Sequence, residues 1–288
     1  MFTQTSSVPV EHGKLAYTYI PSTDSKPTVL FLHATVADQS MWTPQMSYLS
    51  KTHSVLRCDL RGAGKTFNDP QAPPDATYSP VEDVIALLDH LKVNKVVIVG
   101  ASAGGMVAMD VAVNHPHRVV GVVHVCSAVN GLDEPEYDEA ETGTDVEKEV
   151  FARLMAAYVA KDYATLTTVN VEMWADGCGQ PHGRSGDVGK KMERMMTDNF
   201  ANHEQKGELV VARRHPVTST ASRIAEIQCP VLVITGGYDT TPTQRAGTWV
   251  AKNVPRAETF HFEKCAHMPS MEEPDEFNIL VERFLNKL

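Results

Sequence analysis

Short apolar segments rich in β-branched residues alternate with helical segments along much of this chain, and the alternation limits the folds that it can adopt. The apolar segments cover residues 14–20, 28–32, 54–60, 95–100 and 119–126, and they return at 229–236 and 258–263. Helical patterns separate them at 81–91, 104–114, 244–253 and 274–288. We therefore predict an α/β fold with a mostly parallel, twisted sheet that is flanked by helices.

The alternation stops between residues 129 and 213. This stretch is helical in character and contains an acidic run at 133–149, and none of it has the pattern of a buried parallel strand. We predict two units: an α/β core domain formed by residues 1–128 and 214–288, and a helical cap, or lid, inserted at 129–213. The acidic run is expected to be a solvated entry to the cap.

Charge and length exclude several classes of partner. The chain has 288 residues, which is enough to bury a large core without disulfides or metal ions. Its 36 Asp and Glu residues outnumber its 26 Lys and Arg residues, which gives a formal net charge of −10. Such a chain repels phosphate backbones and anionic lipids, so we expect no nucleic-acid partner and no membrane. No apolar run approaches the roughly 20 residues that span a bilayer.

The N-terminus and the cysteines bear on location and on metal binding. The first residues, Met-Phe-Thr-Gln-Thr, lack the basic and apolar stretches of a secretion signal, so we expect a cytoplasmic protein. The five cysteines are widely spaced and form no C-x-x-C pair. Free thiols are therefore expected, with no metal site and no redox site. The sequence leaves the oligomeric state open.

The segment at residues 97–106 carries the strongest chemical signal. A strand there runs into Gly100-Ala101-Ser102-Ala103-Gly104-Gly105, and a helix follows. A serine on a strained turn between a strand and a helix needs neighbours without a Cβ, because the backbones pass closely. We predict that Ser102 stands exposed above the sheet as a nucleophile. The alternative, a serine that merely caps a helix, fits the preceding strand less well.

A serine hydroxyl is a weak nucleophile, so this hypothesis requires a base and an acid that orients the base. Asp239 follows the strand that ends near Gly236, and His267 follows the strand that ends near Glu263. Both side chains are thus expected at the edge of the sheet where Ser102 lies. The chain order Ser, Asp, His is the order expected for this sheet topology. We predict a Ser102-His267-Asp239 catalytic triad.

These motifs resemble those of the α/β-hydrolase family over nearly the whole chain, from residue 31 to the last helix. The family commonly has a His-Gly-x turn after its third strand, where this sequence has His33-Ala34-Thr35. The resemblance implies an oxyanion hole formed by the backbone N–H groups of Ala103 and Thr35. It also implies a structural role for the loop Asp59-Leu60-Arg61-Gly62-Ala63-Gly64, which is similar to the family's Asp-x-Arg-Gly-x-Gly loop.

Two further features refine the resemblance. Ser102 argues against haloalkane dehalogenases and epoxide hydrolases, which have an aspartate nucleophile at this position. The segment Met173-Trp174-Ala175-Asp176-Gly177 resembles the enol-lactonases and the cofactor-free haloperoxidase-like hydrolases. The resemblance therefore implies an enzyme that needs no cofactor.

The sequence as a whole predicts a serine hydrolase that cleaves a small to medium apolar carboxylic ester or lactone through an acyl-enzyme. Methionines in the cap predict an adaptable apolar pocket for this small-molecule substrate. The candidate lining residues are His33, Ala34, Met173, Trp174, Met196 and Met268. Two alternatives remain open: a C–C bond hydrolase that acts on a diketone with the same triad, and a non-hydrolytic ligand receptor or catalyst on the same fold.

Overall fold

The main sheet has nine strands within the described residues, and its central strands are parallel. The computed structural model describes residues 5–73, 75–132, 143–204, 212–213 and 218–288. The strands are β1 (Ser6–Val10), β2 (Gly13–Ile20), β3 (Thr28–Leu32), β4 (Val55–Cys58), β5 (Phe67–Asn68), β6 (Thr77–Tyr78), β7 (Val96–Ala101), β8 (Val119–Val125), β9 (Ala212–Arg213), β10 (Val231–Gly236) and β11 (Ala257–Phe262). Their order across the sheet is β1-β2-β4-β3-β7-β8-β10-β11, with β5 beside β2, while β6 and β9 form a separate pair.

The direction of the strands decides where their loops meet. β2 runs antiparallel to each of its three partners, β1, β4 and β5. All pairs from β4 to β11 are parallel. The carboxyl ends of parallel strands lie at one edge of a sheet, and ligands of α/β proteins bind outside that edge. The loops after β3, β7, β8, β10 and β11 therefore converge on a single region.

Helices cover both faces of this sheet. They are α1 (Thr43–Leu49), α2 (Pro80–His90), α3 (Ala103–Asn114), α4 (Asp145–Ala160), α5 (Tyr163–Asn170), α6 (Asp187–Asn199), α7 (Thr220–Arg223), α8 (Thr241–Asn253), α9 (Pro269–Glu272) and α10 (Pro274–Leu285). Val96 and Ile98 of β7 pack with apolar residues of α2, α3 and α8 on one face. Val97 and Val99 pack with α1 and α10 on the other. Both faces of β7 are thus buried, as a central parallel strand requires.

In chain order, helices α4, α5 and α6 come after β8 and before β10. Two π-helical segments extend them, Val171–Gly177 after α5 and Phe200–Glu204 after α6. We term residues 143–204 the insertion. Its first helix begins at a capping box, in which Thr144 Oγ1 accepts from the Glu147 N–H and the Glu147 carboxylate accepts from the Thr144 N–H. The division into a core domain and a cap at 129–213 stays a prediction, and residues 133–142 of the acidic run lie outside the described residues.

The predicted α/β architecture, with a mostly parallel sheet flanked by helices, is confirmed. β3 has the predicted bounds, and the other predicted elements begin and end within three residues of their expected positions. Neither β1 nor α1 was predicted, because β1 is a short, half-exposed strand at the edge of the sheet and α1 is only two turns long. Among the described residues, no helix combines the length and apolar character needed to cross a bilayer.

Candidate active site

Ser102 lies at the sharp turn between β7 and α3. Its φ of 51° and ψ of −119° form a backbone conformation that a residue with a side chain adopts only under strain. A Cβ on Gly100 would lie 2.3 Å from the Gly104 carbonyl oxygen, and one on Gly104 would lie 2.2 Å from the Leu32 carbonyl oxygen. The Ser102 N–H donates to the Val125 carbonyl at 3.0 Å. The glycines therefore permit the turn that places Ser102 at the carboxyl edge of the sheet.

Asp239 and His267 follow β10 and β11, and a buried hydrogen bond joins them. His267 Nδ1 lies 2.8 Å from Asp239 Oδ2, and each residue is only 4% exposed. Asp239 Oδ1 accepts a second hydrogen bond from the Thr240 N–H at 2.7 Å. An ionised carboxylate can only accept, so His267 Nδ1 carries the donated proton and Nε2 is left to accept one.

Two glycines bring the loops after β10 and β11 together. A Cβ on Gly236 would lie 2.0 Å from the Ala266 carbonyl oxygen, and one on Gly237 would lie 2.3 Å from the Glu263 carbonyl oxygen. No larger residue fits at either position without moving the backbone of the second loop. These glycines have no role in the predictions above, although a Gly-Gly pair at the end of a strand is a visible signal of close backbone approach.

The ends of neighbouring strands connect Ser102 to this pair. β7 pairs with β8, and β8 pairs with β10. Cys126, which follows β8, donates its N–H to the Ile234 carbonyl of β10 at 2.8 Å. The sheet thus places Ser102, Asp239 and His267 at one edge. Within the described part of the chain, a hydrogen bond joins His267 to Asp239 but none joins it to the Ser102 hydroxyl; such contacts commonly tighten only when substrate binds.

The two residues predicted to form an oxyanion hole lie in different segments, Ala103 directly after Ser102 and Thr35 in the loop after β3, the strand that pairs with β7. Ala103 is the first residue of α3, so its N–H has no acceptor within the helix. Thr35 is exposed in the loop after β3. His33 braces this loop, because its Nε2 accepts from the Leu60 N–H at 2.8 Å and its Nδ1 therefore donates to the Ala34 carbonyl, also at 2.8 Å. The side chain of His33 is thus used to join the loops after β3 and β4.

The remaining predicted pocket residues divide between apolar clusters. Ala34, Met196 and Met268 belong to the large cluster on the α1 and α10 face of the sheet. Met173 packs with apolar side chains of α4 and α5 in a separate cluster inside the insertion. Contact of any of these residues with a substrate stays a prediction.

Trp174 contacts His267 through both its ring and its backbone. The centroids of the two rings are 4.4 Å apart, with an angle of 44° between the ring planes. The Trp174 carbonyl accepts from the His267 N–H at 3.2 Å. The indole N–H of Trp174 donates to Asn170 Oδ1 at 3.0 Å. The insertion therefore covers the imidazole and also holds the backbone that carries it.

Cys126 is a further neighbour of the His267–Asp239 pair. From the sequence alone it is expected to be only a small apolar residue. Its Sγ, an Asp239 carboxylate oxygen and a His267 ring nitrogen lie within 4.8 Å of one another, a spacing that could hold a metal ion. Burial, and then the charge of Asp239, raises the pKa of the Cys126 thiol well above its ordinary value. A thiol must lose its proton to bind a metal ion. The raised pKa therefore favours a protonated Cys126 thiol beside the His267–Asp239 hydrogen bond over a metal ligand. The absence of a metal site remains a prediction.

Comparison with known proteins adds independent findings. A family model described as the alpha/beta hydrolase family matches residues 29–279. The 3-oxoadipate enol-lactonase 2 of Acinetobacter baylyi is 24% identical over 262 residues, which are 91% of this chain and 90% of that protein. A pimeloyl-[acyl-carrier protein] methyl ester esterase of Aromatoleum aromaticum is 26% identical over 262 residues, 90% of this chain and 98% of that protein. The enol-lactonase from Burkholderia xenovorans LB400 has a TM-score of 0.75 at 22% identity, covering 98% of this chain and 100% of that one.

These findings agree with the architecture and with the expected resemblance. The family model spans most of the chain, including the turn at Ser102 and the loops of Asp239 and His267. The relatives named above include lactone and ester hydrolases that match over nearly their full length. The resemblance to enol-lactonase-like hydrolases is therefore confirmed, and the chain belongs to the alpha/beta hydrolase family.

Proposed function

We propose that this protein is a serine hydrolase that cleaves a small to medium apolar carboxylic ester or lactone. The observation that carries the proposal is the buried 2.8 Å hydrogen bond between His267 and Asp239 at the sheet edge where a strained turn holds Ser102. A histidine that is oriented by a carboxylate and lies near a serine is the arrangement that activates a hydroxyl nucleophile, and Ser102 is half-buried at this edge. The similarity to proteins named enol-lactonase and methyl ester esterase supports this substrate class.

The reaction begins with attack by Ser102 on the substrate carbonyl carbon. His267 Nε2 takes the proton from Ser102 Oγ while the new C–O bond forms, and Asp239 stabilises the resulting imidazolium. The tetrahedral intermediate then collapses: the bond to the leaving oxygen breaks, His267 returns its proton to that oxygen, and the acyl group remains on Ser102. Water, deprotonated by His267, attacks the acyl group, and the carboxylic acid leaves as Ser102 regains its proton.

The negative charge of each tetrahedral intermediate needs hydrogen-bond donors in fixed positions. The N–H groups of Ala103 and Thr35 supply them in this proposal. Ala103 also begins α3, whose N-terminus carries a partial positive charge that favours an oxyanion. Removal of one such donor typically lowers kcat by about 10²-fold to 10³-fold. This mechanism requires neither a metal ion nor a cofactor.

The substrate class can be tested with purified protein. We would measure hydrolysis of p-nitrophenyl esters of increasing acyl length and of simple lactones by the wild type and by S102A. The matched control is S222A, because Ser222 is an exposed serine of α7. A fluorophosphonate probe followed by peptide mass spectrometry would report the reactive serine independently of the substrate.

The proposal expects turnover by the wild type and by S222A, loss of turnover in S102A, and labelling at Ser102. Turnover that survives in S102A would refute the nucleophile. Absence of turnover on every ester and lactone would refute the substrate class. Cleavage of a diketone that depends on Ser102 would then establish the C–C hydrolase alternative, and ligand binding without turnover would establish the receptor alternative.

A further inference from the structure

Arg184 joins the insertion to the loop that carries His267. Its Nε donates to the Asp176 carbonyl at 2.5 Å, and its Nη2 donates to the Ala175 carbonyl at 2.8 Å, both within the insertion. Its Nη1 donates to the Lys264 carbonyl at 3.0 Å, and Nη2 also donates to Glu272 Oε2 at 2.7 Å, both beyond β11. One guanidinium therefore has two acceptors on each side of the contact.

Glu272 connects Arg184 to the backbone next to His267. Its side chain is only 7% exposed, and the oxygen that does not face Arg184 accepts from the Ala266 N–H at 2.9 Å. Burial raises the pKa of Glu272, and the hydrogen bond from Arg184 opposes that rise. A buried carboxylate needs such partners to stay charged. Arg184 therefore supports the group that holds the backbone directly before His267.

One part of the insertion that contacts the loop of His267 is the end of a helix. The π-helical segment Val171–Gly177 ends here, and helix ends leave carbonyl groups without partners inside the helix. Three consecutive carbonyls, those of Trp174, Ala175 and Asp176, find their donors at this contact. The first accepts from the His267 N–H, and the other two accept from Arg184. The backbone N–H of His267 and the guanidinium of Arg184 therefore both donate to carbonyls of one helix end.

We propose that Arg184 is a positioning residue for His267. By joining the insertion to Glu272, it fixes the loop of residues 264–272, so that the imidazole is held between Asp239 and Trp174. The inference rests on the proposed function, because it assigns to the insertion a part in placing the base as well as in enclosing the substrate. Arg184 itself touches neither the substrate nor the reacting atoms.

An arginine suits this position for a geometric reason. Its planar guanidinium presents five N–H donors in a fixed fork, and four hydrogen bonds are made here in different directions. A lysine has the same charge but only three N–H donors on one nitrogen, so it cannot make all four of these hydrogen bonds. Arg184→Lys is therefore expected to keep the charge and lose part of the positioning.

An ordinary stabilising contact is the competing explanation, and Arg118 provides a matched control. Arg118 also joins two carbonyls and a carboxylate, those of Asn94, Val93 and Asp89, at 2.8 to 2.9 Å. It precedes β8, so it lies at the amino edge of the sheet, away from the candidate site. R118Q should therefore lower stability in a similar way without moving His267.

The test compares R184Q, R184K, E272Q, the double variant R184Q/E272Q and R118Q with the wild type. Two readouts are measured: kcat and KM for p-nitrophenyl acetate, and the downfield proton NMR signal of the His267 Nδ1–H that donates to Asp239. The signal is assigned with H267Q and does not depend on turnover. Thermal unfolding of each variant checks that it is folded.

We expect R184Q to lower kcat about 10²-fold with little change in KM, because a misplacement of about 1 Å at a reacting group has that effect. R184K should recover part of the loss, and the double variant should be no worse than the worse single variant, since both residues act through one contact. The NMR signal should weaken in R184Q and persist in R118Q.

Wild-type kcat and an unchanged signal in R184Q would overturn the inference, as would equal losses in R118Q. If R184Q does not fold, R184K decides by the same two readouts. If the wild type hydrolyses no ester or lactone, the proposed function fails, and the NMR signal alone decides whether Arg184 positions His267.

Discussion

Replacement of Gly236 by alanine is expected to reduce catalysis far more than stability, because the new methyl group would push on the loop of His267. A Cβ at this position would lie 2.0 Å from the Ala266 carbonyl oxygen and 2.6 Å from the Cys265 carbonyl oxygen. Both are backbone atoms, so no side-chain rotation relieves the contact. Real Cβ atoms stay at least 3.0 Å from such neighbours, so the two loops must separate by about 1 Å.

The size of the effect follows from that displacement. Ala266 directly precedes His267, so a shift of its carbonyl moves the imidazole relative to Asp239 and to Ser102. A misplacement of about 1 Å costs roughly 10²-fold in rate. Overpacking of this kind lowers the free energy of unfolding by about 1–3 kcal/mol, which is less than the 5–15 kcal/mol typical of a whole domain. G236A should therefore fold and be about 10²-fold slower.

The assay is kcat and KM for p-nitrophenyl acetate together with urea unfolding. G121A is the matched control, because a Cβ on Gly121 meets first the end of the Leu288 side chain at 2.9 Å, which can move aside. Gly121 lies in β8, far from the loop of His267. A folded G236A with the wild-type kcat would contradict the expected displacement of His267, and so would an equal loss of activity in G121A.

Three other substitutions test separate parts of the site and the fold. D239N should lower kcat by about 10⁴-fold at an almost unchanged KM, because an asparagine N–H₂ facing His267 selects the wrong tautomer. N199D should lower the free energy of unfolding by about 1–3 kcal/mol in urea, because the Asn199 amide donates to the Ala37 carbonyl at 3.1 Å and a carboxylate cannot. Burial lowers the pKa of His124 to about 4, while the unfolded chain protonates near its ordinary value of 6.5. The free energy of unfolding should therefore fall by roughly 3 kcal/mol between pH 6.5 and pH 4, and by clearly less in H124Q.

The parts of the site that the sequence predicts are those with local signals. Ser102 is marked by its glycines and by the strand before it, and Asp239 and His267 are marked by the strands that they follow. Parallel strands end at one edge, so a position directly after a strand is also a position in space. For this reason the hydrogen-bonded His267–Asp239 pair could be expected from the sequence, and the structure contains it.

Other parts of the site depend on contacts between distant residues and leave no local signal. Arg184 and Glu272 are 88 residues apart, and nothing in the sequence around either one indicates the other. Cys126 looks like any small apolar residue after a buried strand, and its place beside Asp239 emerges only from the sheet order. The pairing of β1 with β2 also leaves no local signal, because the short, half-exposed pattern of β1 does not distinguish a strand from a loop.

The contacts of the insertion indicate that its residues differ in what they control. Met196 lies in α6 within the large apolar cluster, and the prediction that it lines the pocket implies that a change of its shape would alter which acyl groups fit and would act mainly on KM. Arg184 contacts the helix end, the loop of His267 and the ring of Tyr238 next to Asp239, so a change there is expected to act on the placement of the base and therefore on kcat. Trp174 belongs to both groups, because its ring covers the imidazole and its carbonyl holds the His267 backbone. Substitutions at Trp174 are therefore expected to change substrate preference and turnover together, since no change of this ring leaves the imidazole untouched.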